Sequence, residues 1–291
     1  MTREEELAAA WTRLRPRLVS VAYAVLGSRT EAEDVVADCW LSLITADARE
    51  PVRDLYAWGT VAVARRAVDM LRSARLQREA YIGPWLPEPF VEPIGPTTDP
   101  ADRVTLDERV SFALMVALEA LSPAERTAWV LHDLFGLPFR DVATVVGRTP
   151  AAVRQLAVRA RAHIADGAPR IEVDPGERRR VADAFLAAAA GGDLATLVSV
   201  LDPDVVLVSD GGGQVRAALR PVVGANNVAR LFLGLARRTP HGAVLRPNTV
   251  NGGPGFILSK DDATLLVAAL TVARGRISRI DLVLAPDKLP H

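Results

Sequence analysis

The 291-residue chain contains very little cysteine, no excess of either charge and no long apolar run. Its single cysteine, Cys39, excludes an internal disulfide and any zinc site built from several cysteines. No apolar stretch of about 18 residues indicates a membrane span, and the charged start Met-Thr-Arg-Glu-Glu-Glu is not typical of a signal peptide. We therefore expect a cytoplasmic, globular protein that is long enough for two or three domains.

The charges balance overall but not locally. Basic and acidic residues number 35 each, which argues against a protein that coats nucleic acid non-specifically. Residues 65–78 carry five arginines against one aspartate, residues 140–170 carry six arginines against two, and residues 31–38 carry four acids and no base. Two basic segments and one acidic segment predict two DNA contacts and a separate, basic protein partner.

Residues 137–164 predict two short helices joined by a turn at Gly147. Thr149 can cap the second helix, and Pro150 suits its first turn because the missing N–H costs nothing there. Helical spacing places Val153, Leu156, Ala157, Ala160 and Ile164 on one side, and Ala151, Arg154, Gln155, Val158 and Arg159 on the other. An apolar back and an Arg/Gln front are typical of a helix that enters the DNA major groove. A helix pair with a merely solvated arginine face is the alternative.

Three helical patterns precede this segment. The first, residues 5–26, ends at Gly27, and the second begins at Thr30, where Thr30 and Glu33 predict a capping box. Its Glu31, Asp34 and Asp38 share one face, which is either a docking surface or simply a solvated front. The third pattern, residues 55–77, has aromatic residues at its start and arginines at its end, a combination suited to unstacked bases, although Trp58 also fits a core.

Two of these blocks resemble regions 2 and 4 of the extracytoplasmic-function (ECF) sigma factors. Region 2 is similar to Ala32-Glu33-Asp34-Val35-Val36-Ala37-Asp38-Cys39-Trp40-Leu41, and to Ala57-Trp58 leading into Ala64-Arg65-Arg66-Ala67-Val68-Asp69-Met70-Leu71-Arg72. Region 4 is similar to Ala120-Leu121-Ser122-Pro123-Ala124-Glu125-Arg126-Thr127-Ala128-Trp129-Val130-Leu131 with the helix-turn-helix after it.

The resemblance implies a dissociable specificity subunit of bacterial RNA polymerase. It implies core-polymerase contacts at Glu31, Asp34, Asp38 and Leu41. It implies −10 contacts at Arg65, Arg66, Asp69, Arg72 and Arg75, with Arg66 standing where many relatives carry a polar amide. It also implies −35 contacts at Arg148, Thr149, Ala152, Arg154, Gln155 and Arg159.

Residues 79–96 hold five prolines and cannot be helical. A stiff spacer would explain them, but Tyr81, Trp85, Leu86 and Phe90 are costly to leave in water, so we expect part of this linker to dock on a protein surface. The run Trp85-Leu86-Pro87-Glu88-Pro89 resembles the linker motif of one ECF subgroup, which carries a fused SnoaL-like domain.

Beyond residue 175, helical patterns precede strand-like runs at 243–250, 263–273 and 277–284, which favours an α+β cone with a pocket. This part resembles the SnoaL-like, NTF2-like fold. Asp210 and His241 are the one tempting acid–base pair in it, but each also fits as a turn or loop residue, and no catalytic role is predicted for them. The turn Asp210-Gly211-Gly212-Gly213-Gln214 and the end Ala285-Pro286-Asp287-Lys288-Leu289 resemble two further subgroup motifs. Relatives usually carry Lys in place of Gln214 and Asn in place of Ala285.

The sequence thus predicts a multidomain chain: an all-α sigma region 2 (1–78), a Pro-rich linker (79–102), an all-α sigma region 4 helix-turn-helix (103–170) and an α+β SnoaL-like regulatory domain (175–291). The expected function is that of an ECF sigma factor which binds core polymerase and promoter DNA and is modulated by its own C-terminal domain. No enzyme activity, cofactor, metal, membrane contact or separate anti-sigma factor is predicted. The alternatives are a one-component DNA-binding regulator with a sensor domain, and a cyclase- or isomerase-like enzyme with a DNA-binding appendage.

Overall fold

A computed structural model describes residues 2–79, 81, 83–92, 110–167 and 174–290. The chain forms two compact units: residues 1–79, 98–110 and 114–168 make the first, and residues 80–97, 111–113 and 169–291 make the second. The described part of the first unit is helical, and the second combines helices with a sheet, so the predicted fold class is confirmed. None of the described helices is both long and apolar enough to cross a membrane.

Seven described helices, numbered in chain order, make up the first unit, although the first two residues of α4 are assigned to the second; a π-helical turn at Val130–Leu134 follows the fifth helix. They are α1 (Arg3–Leu26), α2 (Arg29–Arg49), α3 (Leu55–Glu79), α4 (Phe112–Glu119), α5 (Pro123–Trp129), α6 (Phe139–Val146) and α7 (Pro150–Gly167). Because α3 includes Glu79, the prediction that residues 79–96 are not helical is wrong at its first residue; the prolines that prevent a helix begin only at Pro84.

Side-chain caps fix the starts of several of these helices, although α6 has none. Thr2 and Glu5 form a capping box on α1, and Ser122 and Glu125 form another on α5. The capping box predicted at Thr30 is wrong, because the cap lies two residues earlier: Ser28 caps α2 by accepting from the Glu31 N–H at 3.2 Å. The sequence Ser-Arg-Thr offers two hydroxyls at this position, and the upstream one is the cap.

The core of the first unit is built around the second half of α1, where every residue from Leu18 to Leu26 is buried. A buried arginine joins this helix to α5: Arg126 Nε donates to the Ala24 carbonyl at 3.0 Å, and its Nη1 pairs with Glu119 at 2.5 Å. Because a charge without a partner is very costly in such a place, this pair fixes how α5 packs on α1.

The described part of the second unit holds a seven-stranded sheet covered by three helices. The helices are α8 (Pro175–Gly191), α9 (Leu194–Val200) and α10 (Ala225–Ala236). The strands are β1 (Val91–Glu92), β2 (Leu201–Asp210), β3 (Val222–Val223), β4 (Val244–Val250), β5 (Gly253–Lys260), β6 (Ala263–Ala273) and β7 (Arg276–Val283), arranged in the order β1-β4-β5-β6-β7-β2-β3.

All strand pairs are antiparallel except β2 with β7, which run parallel with Asp210 opposite Val283. The parallel pairing brings the chain that leaves β2 next to the chain that leaves β7, since parallel strands end at the same edge. On the helix side, alternate strand residues pack around Phe185, Phe232 and Phe256, whose rings contact edge to face. This apolar cluster is the core of the second unit.

Candidate functional site

The outer face of α7 is exposed, and its inner face is buried. Val153, Leu156, Ala157 and Ala160 are buried, whereas Arg148, Thr149, Arg154, Gln155, Val158 and Arg159 are exposed and Ala152 is half-buried. Thr149 caps the helix as predicted, accepting from the Ala152 N–H at 3.3 Å. A shallow depression lies along this face, lined by Ala151, Arg154, Gln155, Val158 and Arg159. The outer face of α7 therefore presents guanidinium and amide hydrogen-bond donors with an exposed valine between them, a combination that suits a DNA groove.

The arginines of α7 differ in what they contact. Arg159 Nε bonds Glu125 at 3.1 Å, and Arg161 Nε bonds Asp133 at 2.6 Å. The Arg154 guanidinium lies over the Phe139 ring, 5.0 Å from its centroid, and forms no ion pair with a carboxylate in the described part of the chain. Arg154 is therefore held by an aromatic face, which leaves its N–H groups for other acceptors.

A second basic face lies on α3, where Arg65, Arg66, Asp69 and Arg72 are exposed and Val63, Ala64, Ala67, Val68 and Leu71 are buried. Arg66 pairs with Asp38 of α2 at 3.3 Å, and Arg72 pairs with Asp69 at 3.6 Å. The side chain of Arg75 lies outside the described residues.

The acidic face of α2 exposes Asp34, Asp38 and Leu41, while Glu31 is half-buried. Leu41 is 70% exposed and lies one helical turn from Asp38. The opposite side of the helix is buried through Val35, Val36, Cys39 and Leu43. Burial raises the pKa of Cys39 to about 11, so its thiol is neutral at physiological pH. An exposed leucine beside carboxylates suits a protein partner better than a nucleic acid.

The two basic helices share one cleft. It has a volume of about 350 Å³ and is lined from α3 by Val68 and Arg72 and from the helix-turn-helix part by residues that include Arg148 and Arg159. Residues expected to contact two separate DNA elements thus lie around a single cleft in this structure.

Within the second unit, the linker is held by Asp210, at the end of β2. Asp210 is fully buried and accepts from the Tyr81 hydroxyl, from the Leu86 N–H at 2.9 Å and from the Gly212 N–H at 3.0 Å. Burial, followed by the hydrogen bond to Asp210, raises the pKa of Tyr81 well above its usual value. The predicted docking of this part of the linker is confirmed.

Lys288 completes this anchor and is 5% exposed. Its Nζ donates to Asp210 Oδ2 at 2.7 Å and to the Leu86 carbonyl at 2.8 Å, and it lies 3.0 Å from the centroid of the Trp85 ring. Trp85 in turn contacts Tyr81 edge to face at 4.8 Å. One buried cation therefore neutralises Asp210 and binds the linker backbone and a linker ring, so we name Tyr81, Trp85, Leu86, Asp210 and Lys288 the linker anchor.

The two segments that resemble subgroup motifs, residues 210–214 and 285–289, contact each other through small residues. A Cβ at Gly211 would meet the Val215 carbonyl oxygen at 2.1 Å, and Gly212 has a positive φ of 66° with Ala285 close by. Ala285, where relatives usually carry Asn, is buried, and its N–H donates to the Asp210 carbonyl at 3.0 Å. The backbone at Ala285 thus contributes to the contact without an Asn side chain, and Gln214 is exposed.

The other motif residues surround the same place. Pro87 is buried in the docked linker, Asp287 is exposed, and Leu289 is half-buried after the 3-10 turn Pro286–Lys288. The Asp287 charge is one of the lesser causes that raise the Tyr81 pKa.

A second linker contact was not predicted. Phe90 N–H donates to Asn251 Oδ1 at 2.9 Å, and Asn251 N–H donates to the Phe90 carbonyl at 2.8 Å, next to the β1–β4 pair. Asn251 has a φ of 48°, which Asn tolerates better than most residues. The run Asn-Gly-Gly signals a turn, but nothing in it indicates which segment binds there.

Asp210 and His241, for which no catalytic role was predicted, do not form an acid–base pair. Hydrogen bonds occupy both oxygens of Asp210, whereas His241 is exposed in a turn. Asp210 holds the linker instead.

Comparison with known proteins now adds to this geometry. Residues 10–77 match the family described as sigma-70 region 2, and residues 111–164 match sigma-70 region 4. The ECF RNA polymerase sigma factor SigJ of Mycobacterium tuberculosis is 40% identical over 285 residues, which cover 94% of this chain and 90% of that protein. The chain belongs to the ECF sigma factors.

Two further similarities extend over almost the whole of this sigma factor. The probable ECF RNA polymerase sigma factor SigI of M. tuberculosis is 36% identical over 293 residues, covering 99% of this chain and 97% of that one. The crystal structure of M. tuberculosis SigJ superposes with a TM-score of 0.79 at 37% identity, covering 97% of each chain. The predicted family is confirmed, and the one-component regulator is not favoured because region 2 matches as well as region 4.

Proposed function

We propose that three exposed surfaces of this sigma factor carry out promoter recognition. The acidic face of α2 with Leu41 binds core RNA polymerase, the basic face of α3 reads the −10 element, and the outer face of α7 reads the −35 element. The observation that carries the proposal is the division of α7, whose apolar side is buried while Arg154 and Gln155 are exposed beyond a Thr149 cap. Arg and Gln are the side chains that pair with guanine and adenine edges.

Promoter binding requires regions 2 and 4 to separate. Elements centred about 25 base pairs apart lie roughly 85 Å apart on B-form DNA at about 3.4 Å per base pair. Arg72 and Arg159 line a single cleft, so they cannot reach both elements from their present positions. The compact form is therefore a resting state, and regions 2 and 4 separate when the chain binds polymerase and promoter DNA.

The C-terminal domain controls this opening from within the same chain. It holds the linker between regions 2 and 4 at the linker anchor and at Asn251, and so limits the length of linker that is free to extend. Such control needs no separate anti-sigma factor, cofactor, membrane contact or enzymatic step, and it operates in the cytoplasm, where core polymerase acts.

In vitro transcription with core polymerase over a pool of promoter fragments tests the first part of the proposal. We expect a subset of fragments with common −10 and −35 sequences to be transcribed, and transcription independent of this chain would contradict the proposal. Deleting residues 175–291 should change the yield from the selected promoters. An unchanged yield would refute control by the C-terminal domain and leave promoter recognition standing.

A further inference from the structure

A stack of three side chains lies behind the exposed face of α7. The His132 and Phe139 rings have their centroids 3.7 Å apart with 27° between their planes, and the Arg154 guanidinium carbon lies 5.0 Å from the Phe139 centroid. A cation within about 6 Å of an aromatic centroid is attracted by the ring. The three residues come from the π-helical turn, the start of α6 and the second turn of α7.

The base of this stack is fixed by the backbone. The π-helical turn Val130–Leu134 carries His132, and the His132 Nδ1 lies 2.8 Å from the Leu137 carbonyl oxygen. Phe139 begins α6 directly after Pro138, whose ring restricts the backbone there. The Phe139 ring is thus held by its neighbours before DNA arrives.

Stacking holds Arg154 in a different way from an ion pair. A carboxylate partner occupies guanidinium N–H groups, as Glu125 does for Arg159. An aromatic face attracts the guanidinium without bonding to its N–H groups, so the five N–H donors stay available for a bidentate bond to guanine. Holding the side chain in advance also reduces the rotamer entropy lost on binding.

We propose that Phe139 is a positioning residue for −35 recognition: it presents Arg154 in the orientation that reads a base. This rests on the proposed function of α7. The Phe139 ring is half-buried, and the core beneath α6 is already supplied by Val142, Ala143, Val145 and Val146. Filling volume would need only an aliphatic side chain there, whereas holding a cation needs the ring.

The test uses the full-length chain in holoenzyme and a −35 probe chosen by the wild-type protein from a random pool. Phe139→Leu keeps an apolar side chain and removes the ring, Phe139→Tyr keeps the ring, and Arg154→Ala removes the reader. We expect Phe139→Leu to weaken binding of the selected probe about two- to fivefold, the range typical of an exposed cation–π contact, and Phe139→Tyr to bind as wild type does. In the Arg154→Ala background, Phe139→Leu should have no further effect.

Two more readouts separate positioning from loss of structure. Phe139→Leu should leave the salt dependence of binding unchanged, because phosphate contacts are not involved, and should lose affinity only for probes that keep the base read by Arg154. An equal loss in the Arg154→Ala background, or wild-type binding by Phe139→Leu, would overturn the positioning role while region 4 still reads the element. If the wild-type chain selected no −35 sequence, the proposed function itself would fail, and the inference with it.

Discussion

Replacing Lys288 with methionine should release the linker without unfolding the domain that holds it. The substitution preserves most of the side-chain volume and removes two hydrogen bonds, at 2.7 and 2.8 Å, as well as the cation over Trp85. It leaves the carboxylate of Asp210, which is fully buried, without a positive partner.

The expected magnitude follows from that uncompensated charge. Removing one member of a buried ion pair costs about 3–5 kcal/mol, or roughly two to three and a half orders of magnitude in an opening equilibrium. Local opening removes this cost most readily. If the linker dissociates from Asp210, the carboxylate becomes accessible to water while the Phe185–Phe232–Phe256 core stays intact.

Hydrogen exchange at the Leu86 and Phe90 amides measures this opening, because their N–H groups donate to Asp210 and Asn251. We expect protection at Leu86 to fall by at least about a hundredfold, with a smaller fall at Phe90 and none at the sheet amides of β6 and β7. Lys260, the one other lysine in the chain, is half-buried and pairs with the exposed Asp261 at 4.0 Å, so Lys260→Met is the matched control. The double variant Asp210→Asn/Lys288→Met should lose less than Lys288→Met, because no buried charge is left alone. Wild-type protection of Leu86 in Lys288→Met would refute the anchor.

Two further predictions concern the helical unit. Arg126→Met should lower the free energy of unfolding of the helical unit by about 3–5 kcal/mol in urea titrations, because the Glu119 pair and the bond to the Ala24 carbonyl are lost. Arg140→Met, at an exposed position, should change it by less than about 0.5 kcal/mol. Equal effects of the two substitutions would contradict the role of Arg126. Burial raises the pKa of Cys39 to about 11 from 9.0, so the contribution of its neutral thiol to stability is complete below pH 9 and is lost as pH rises toward 11. The wild type should therefore lose more stability than Cys39→Ala between pH 9 and pH 11. Parallel plots of unfolding free energy against pH for the two proteins would refute this prediction.

Local pattern was enough to predict the faces of the helices. The spacing of Val153, Leu156, Ala157 and Ala160 predicted the buried side of α7, since a 3.6-residue period and an apolar core leave few alternatives. The family and the fold class followed from motifs in the right order and are confirmed. The cap at Ser28 was missed because two hydroxyls compete over three residues, and local sequence does not choose between them.

Contacts between distant segments could not be predicted in the same way. The linker was expected to dock because its aromatic residues are costly in water, but its partners are set by the parallel pairing of β2 with β7, which joins Asp210 to the chain after Val283. Asn251 and the stack of His132, Phe139 and Arg154 were missed for the same reason. Two observations in the sequence could have helped: the chain has only two lysines, and Lys288 is the one that lies in a motif.

Affinity for core polymerase is the measurement on which the proposed role of the acidic α2 face depends. Asp34→Lys/Asp38→Lys reverses two exposed charges beside Leu41, and Asp183→Lys/Asp204→Lys makes the same change at exposed positions of the second unit. With folding verified by circular dichroism, we expect at least about a tenfold weaker affinity for core polymerase in the first variant, an effect that shrinks at high salt, and wild-type affinity in the second. Wild-type affinity in a properly folded Asp34→Lys/Asp38→Lys variant would contradict that role.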